Sequence, residues 1–174
     1  MKSVSGLSLQ DWIDGTDKRG AEIGRYDGML YSQAIQIQTQ ILLEQAHDTY
    51  VLGILDAVPL LCRTALEEEL AVRYLIANKM LQQVASGQRF EQMVDGKPAN
   101  LENLIQWVIP NWMSKTLESI ARDIQQTGND YAHAYAMRRV AKPMNGSGNV
   151  FENKRALEVY RNTLEVITKL APIP

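Results

Sequence analysis

Apolar residues return at three- and four-residue steps along most of the chain, which is the periodicity of helices that each bury one face. Leu30, Ala34, Ile37 and Ile41 form one such stripe and predict a helix from about Asp27 to Tyr50. The chain turns around Gly53. Asp56 is then placed to cap a second helix, which tolerates Pro59 in its first turn because the N–H groups there have no intrahelical partner. The segment LLCRTALEEELAVRYLIANKML that follows is the longest and most strongly patterned in the chain. Residues 86–99 read as a loop, and Leu101, Leu104, Ile105 and Val108 mark a shorter helix that Pro110 ends or bends. Another helix runs from about Ser114 to Gln126. Gly128 predicts a stop there, with Asn129 or Asp130 capping a short new helix to about Arg139. The Asn-Gly and Ser-Gly pairs within residues 140–152 predict a mobile loop. Leu157, Tyr160, Leu164 and Ile167 lie on one face of a closing helix, Asn153 to Leu170. Residues 1–26, rich in Gly, Ser and Asp, predict an irregular N-terminal segment. No strand-like alternation stands out, so the expectation is an all-α, single-domain bundle of about five to six helices over residues 27–174.

Composition narrows the function classes. The 18 Lys and Arg residues against 20 Asp and Glu leave a net charge of −2, so no global field recruits nucleic acid or anionic membrane, and any basic surface is local. No apolar run approaches the ~20 residues of a membrane span. The start, MKSVSGLSLQDW, lacks the apolar core of a signal peptide. The single cysteine, Cys62, has no internal disulfide partner and sits in the apolar run Val58–Cys62, as a buried thiol in a reducing cytoplasm would.

Four constellations carry possible chemistry. "EQAH" (Glu44 to His47) and "DYAH" (Asp130 to His133) both place a carboxylate three residues before a histidine, as di-iron bundles do with Glu-x-x-His. One copy here has the shorter Asp, and no metal or other cofactor is expected. Arg63 and Glu67 lie four apart on the long helix, Glu69 and Arg73 repeat the spacing, and apolar neighbours suggest a structural role for the first pair. Arg138, Arg139, Lys142, Lys154 and Arg155 cluster around the 140–152 loop. They read either as solvated helix ends or as a phosphate-binding rim. Asn129 and His133, four apart, share a face if the new helix begins at Asn129. Trp107 and Trp112 bracket Pro110 as core or interface anchors. No phosphate loop, dinucleotide fingerprint, zinc spacing or nucleophile elbow is present.

The order of "AVPLLCRTALEEELAVRYL", "LENLIQWVIPNWMSKTLESIARDIQQTGNDYAH" and "ENKRALEVYRNTLEVITKL" resembles a bacterial domain family often associated with restriction-type proteins. An Arg-x-x-x-Glu helix and a late IRxxGNxxAH signature characterise that family, which belongs with the HEPN (higher eukaryotes and prokaryotes nucleotide-binding) helical domains. The resemblance covers roughly residues 50 to 170 and rests on three short motifs in order. It implies a HEPN-like bundle working as a homodimer, with RNA or a partner protein as its target. Ribonucleases of that superfamily cut RNA without metal, using an Arg, a following polar residue and a His at the dimer interface. Carried over, His133 is the His and Asn129 the polar residue, while the Arg position falls on Gly128. Arg122, upstream, or Arg138 and Arg139, downstream, are the candidates to replace it. The resemblance therefore implies first a non-catalytic interaction or RNA-binding module of a bacterial defence or toxin–antitoxin-type system, in which Gly128, Asn129 and His133 fix a helix junction. The alternative is a metal-independent endoribonuclease using His133 with a relocated arginine. A carboxylate/His metal-binding bundle is the third reading.

Overall fold

The computed structural model describes residues 8–32, 35–78, 99–138 and 149–170. All regular structure among these residues is helical: α1 (Leu9–Ile23), a 3-10 turn (Gly24–Tyr26), α2 (Asp27–Leu30), α3 (Ile37–Val51), α4 (Ala57–Ala77), α5 (Leu101–Trp112), α6 (Lys115–Arg138) and α7 (Asn149–Lys169). The chain is thus an all-α bundle, and no helix among the described residues is long and apolar enough to cross a membrane.

The strongly patterned α4 is the axis on which α3, α5, α6 and α7 all pack. Val58, Cys62, Leu66 and Leu70 are buried on it together with Ala65, Ala71 and Leu75, so neighbours enclose it on more than one side. Leu101, Leu104, Ile105 and Val108 of α5 are buried as the pattern predicted. The Asn100 side chain caps α5 by accepting the Asn103 N–H at 3.0 Å, and the helix continues past Pro110 to Trp112. On α7, Tyr160, Leu164 and Ile167 are buried and Leu157 half-buried.

Two expected boundaries change. Residues 9–23, placed in an irregular segment, form a helix because Ser8 and Asp11 make a capping box. The Ser8 hydroxyl accepts the Asp11 N–H at 3.1 Å, and the Asp11 carboxylate accepts the Ser8 N–H at 2.9 Å. The Ser8 hydroxyl also donates to that carboxylate at 2.6 Å, and this bond, with the backbone one, holds the Asp11 carboxyl below its ordinary pKa. The helix expected from Asp27 to Tyr50 is interrupted between α2 and α3. There Ile35 turns into the core and the Gln36 N–H donates to the Glu69 carboxylate at 3.1 Å. The turn at Gly53 is where the sequence put it. Gly53 has φ +80°, its N–H donates to the Tyr50 carbonyl, and the Ile54 N–H to the Thr49 carbonyl, both at 2.9 Å, which closes α3 in a Schellman motif. The predicted 86–99 loop lies outside the described residues except for Ala99. That at 140–152 is described only from Asn149, where α7 has already begun.

Glu69 is fully buried and its other oxygen accepts the Arg73 Nε–H at 2.8 Å. One carboxylate therefore neutralises a buried guanidinium and satisfies a backbone donor at the start of α3, where the Gln36 side chain supplies no cap. Removing either partner leaves a buried charge uncompensated. Glu69→Gln or Arg73→Met is expected to lower stability by about 3–5 kcal/mol in urea denaturation, with the double change to apolar residues recovering a large part of it. Single variants within 1 kcal/mol of the parent, on the scale of an exposed pair, would contradict this role.

Candidate functional site

α6 passes unbroken through Gly128, Asn129 and His133, so the expected stop and restart does not occur. A glycine that ends a helix in a left-handed cap takes positive φ, which among the glycines of the described residues only Gly53 does. Gly128 is used for its missing side chain instead. A Cβ built there would stand 2.6 Å from Arg63 Cβ, 2.7 Å from Cδ and 3.1 Å from Cγ. The crossing of α4 and α6 is this close because the Arg63 stem lies in the space that a side chain at 128 would fill. The Arg63 guanidinium meets Glu67, Nη1 to Oε2 at 3.2 Å, with both side chains about a quarter exposed (28% and 27%), and its Nε is buried without a hydrogen-bond partner. The pair expected to be structural does sit at a helix crossing. The deeply buried pair, however, is Glu69–Arg73, which the sequence shows only as a repeated spacing.

Asn129 is half-buried and His133, one turn on, is exposed. Neither side chain makes a hydrogen bond within the described residues. Arg122 does not join them: eleven residues of continuous helix separate it from His133 by roughly 16 Å along the axis. Its guanidinium bridges two helices instead, with Nε donating to Glu118 and Nη1 to Glu102, each at 2.9 Å. The Glu102 carboxyl is held below its ordinary pKa, first by Arg122 and then by the Gln106 amide.

The basic cluster divides. The Arg138 side chain, Arg139 and Lys142 lie outside the described residues. Arg155 turns toward α6: Nη2 donates to both Asp123 oxygens (2.8 and 3.0 Å) and to the Thr127 hydroxyl (2.7 Å), and Nη1 to Glu158 (3.2 Å). It is a strap between α7 and α6 and not a rim cation. Lys154 is exposed. It lines an open cavity of about 360 Å³ with Tyr26, Leu157, Glu158 and Arg161. Arg161 was not among the sequence candidates, although seven residues place it two turns from Lys154 on the same face.

The other chemistry is accounted for locally. His47 Nδ1 lies 3.2 Å from Asp48 and Nε2 3.7 Å from Asp27, with its ring tilted against Tyr160. Glu44 accepts from Gln40 at 3.0 Å and Asp130 from Gln126 at 2.8 Å, and among the described residues no three His, Cys, Asp or Glu side chains converge to hold a metal. Cys62 is fully buried, and burial pushes its thiol up to about 12, which suits a core residue and not a nucleophile. Trp107 packs edge-on to Tyr74, ring centroids 4.6 Å apart.

Compared with protein-family models, curated proteins and solved structures, the chain finds no match in any of the three.

The Gly128 contact has an opposite-signed control in α1. Gly20→Ala meets nothing within 4 Å and should stabilise by about 0.5–1 kcal/mol through helix propensity. Gly128→Ala gains the same propensity but must displace the root of Arg63, and is expected to lose about 1–3 kcal/mol net. Equal stabilisation by both, read from denaturation midpoints, would show that the α4–α6 approach is looser than described.

Proposed function

We propose that this chain is a non-catalytic HEPN-like helical module that binds RNA, working as a homodimer in the cytoplasm within a bacterial defence or toxin–antitoxin-type system. The observation that carries this reading is the unbroken α6. Gly128 serves the contact with Arg63, Arg122 is tied to Glu102 and Glu118, and Arg155 to Asp123 and Glu158. Metal-free cleavage of RNA needs a proton-transfer group and a cation on the phosphate at the same atom. His133 is available on the surface, but of the arginines first considered for that task Arg122 is engaged in holding helices together, and the Arg138 side chain and Arg139 lie outside the described residues. The motif then acts through packing, and its exposed side chains are free for contact with a ligand.

One observation favours the second reading, a metal-independent endoribonuclease. Arg63 runs across Gly128, where the family's arginine would stand, and arrives from α4 instead of α6. Its tie to Glu67 is about a quarter exposed and can be exchanged for a phosphate.

Incubation with single-stranded and structured RNAs in EDTA, with His133→Ala and Arg63→Lys in parallel, separates the two. Arg63→Lys keeps the stem that packs on Gly128. The expected result is RNA binding without cutting by all three proteins, with His133→Ala within ~0.5 kcal/mol of the parent in stability. EDTA-resistant cutting lost in both variants would replace the binding module with the ribonuclease.

A further inference from the structure

Residues 154, 157, 158 and 161 recur at three- and four-residue steps on α7 and present one face to the cavity, with Tyr26 of the 3-10 turn beside them. The charges on that face are unevenly matched. Glu158 accepts from Arg155, whose guanidinium is turned toward Asp123 and Thr127. Lys154 is exposed with no carboxylate partner among the described residues, and the exposed Arg161 reaches only the amide oxygen of its neighbour Asn162, at 2.9 and 3.3 Å. Among the described residues the one carboxylate on this lining, Glu158, is paired with Arg155, so the two cations on the rim remain without an ion-pair partner, in a chain whose net charge is negative.

The rest of the lining narrows the ligand. An acidic peptide would use the two cations and leave the aromatic ring idle, whereas a nucleotide uses both, with phosphate on Lys and Arg and a base against an aromatic side chain. Leu157 supplies an apolar floor between them, and the cavity volume is in the range of small-ligand sites. We infer that this cavity is a nucleotide subsite that takes a phosphate between Lys154 and Arg161 and a base against Tyr26. The inference rests on the RNA-binding reading and gives it a location away from His133. The shared chemistry is a phosphorylated nucleoside, supplied either by an RNA strand or by a free nucleotide.

The test uses the full chain, a labelled single-stranded RNA oligonucleotide read by anisotropy over a salt series, and AMP as competitor. Lys154→Gln/Arg161→Gln alters exposed side chains with no tertiary ion pair, so its circular dichroism and melting midpoint should match the parent. It is expected to weaken binding at least tenfold and to flatten the log–log salt slope by about 1.4, two contacts at ~0.7 each. Tyr26→Leu keeps an apolar contact with the core but removes the ring, and should weaken binding at least fivefold with the slope unchanged. Lys115→Gln, an exposed cation at the start of α6, should change neither. Displacement of the probe by AMP identifies free nucleotide as a source, and displacement by unlabelled strand alone identifies RNA. With binding weakened in the double variant, either source fits the subsite. Parent-like affinity and slope in the double variant would overturn the subsite and leave the RNA-binding module standing. No binding of RNA or AMP by the parent would overturn both.

Discussion

Two helices approach only as closely as their side chains permit, and the architecture around α6 depends on the point where that limit is lowest. At Gly128 the absent side chain admits the methylenes of Arg63, which brings α4 and α6 together along the axis of the bundle. A glycine in a helix interior costs about 1 kcal/mol against alanine, and the close contact offsets it. Once α6 lies there, its flanks are fastened by two further arginines, Arg122 toward α5 and Arg155 from α7. These pairs are partly solvated, so each contributes little to stability. What they add is direction: they set which way α6 is rolled, and hence which residues face outward.

A different polar device works in the interior. Glu69 and Arg73 are buried one turn apart on α4, and the carboxylate reaches beyond its own helix to the backbone of Gln36. A well-packed apolar pair in that place would give comparable stability but would carry no instruction for where α3 begins. The charge distribution of the chain follows from these uses. Several of its arginines hold the fold together, so a modest number of cations, Lys154 and Arg161 among them, remain for anything outside it.

The parts of the fold legible in the sequence were those encoded by residues close in the chain. The apolar stripes of α5 and α7, the turn at Gly53 and the burial of Cys62 all follow from local periodicity or backbone preference. The misreadings share one physical origin. The start of α3 depends on a carboxylate thirty-three residues away, and Gly128 on an arginine from another helix, so neither is written in its own neighbourhood. A glycine before an asparagine looks the same whether it ends a helix or admits a neighbour. The described part of the basic cluster shows the same limit. Adjacent in sequence, Lys154 and Arg155 point to different faces of α7, one outward and one toward α6, and periodicity places Lys154 with Arg161 instead. The α1 helix was missed differently: its capping box was present at Ser8 and Asp11, but the glycines and aspartates around it outweighed it.

That capping box has a consequence of its own. Residues 8–14 are all exposed, including the large apolar side chains of Leu9, Trp12 and Ile13, and among the described residues the side-chain bonds that tie α1 to α3 come from its later turns. A segment so placed normally frays, because nothing outside it compensates for the backbone freedom it gives up. Here the reciprocal bonds between Ser8 and Asp11 close the first turn from within, and Arg19 and Glu22 anchor the far end to α3. The result is a short stiff arm whose conformational entropy has already been surrendered during folding, so the cost of ordering it does not recur at each encounter.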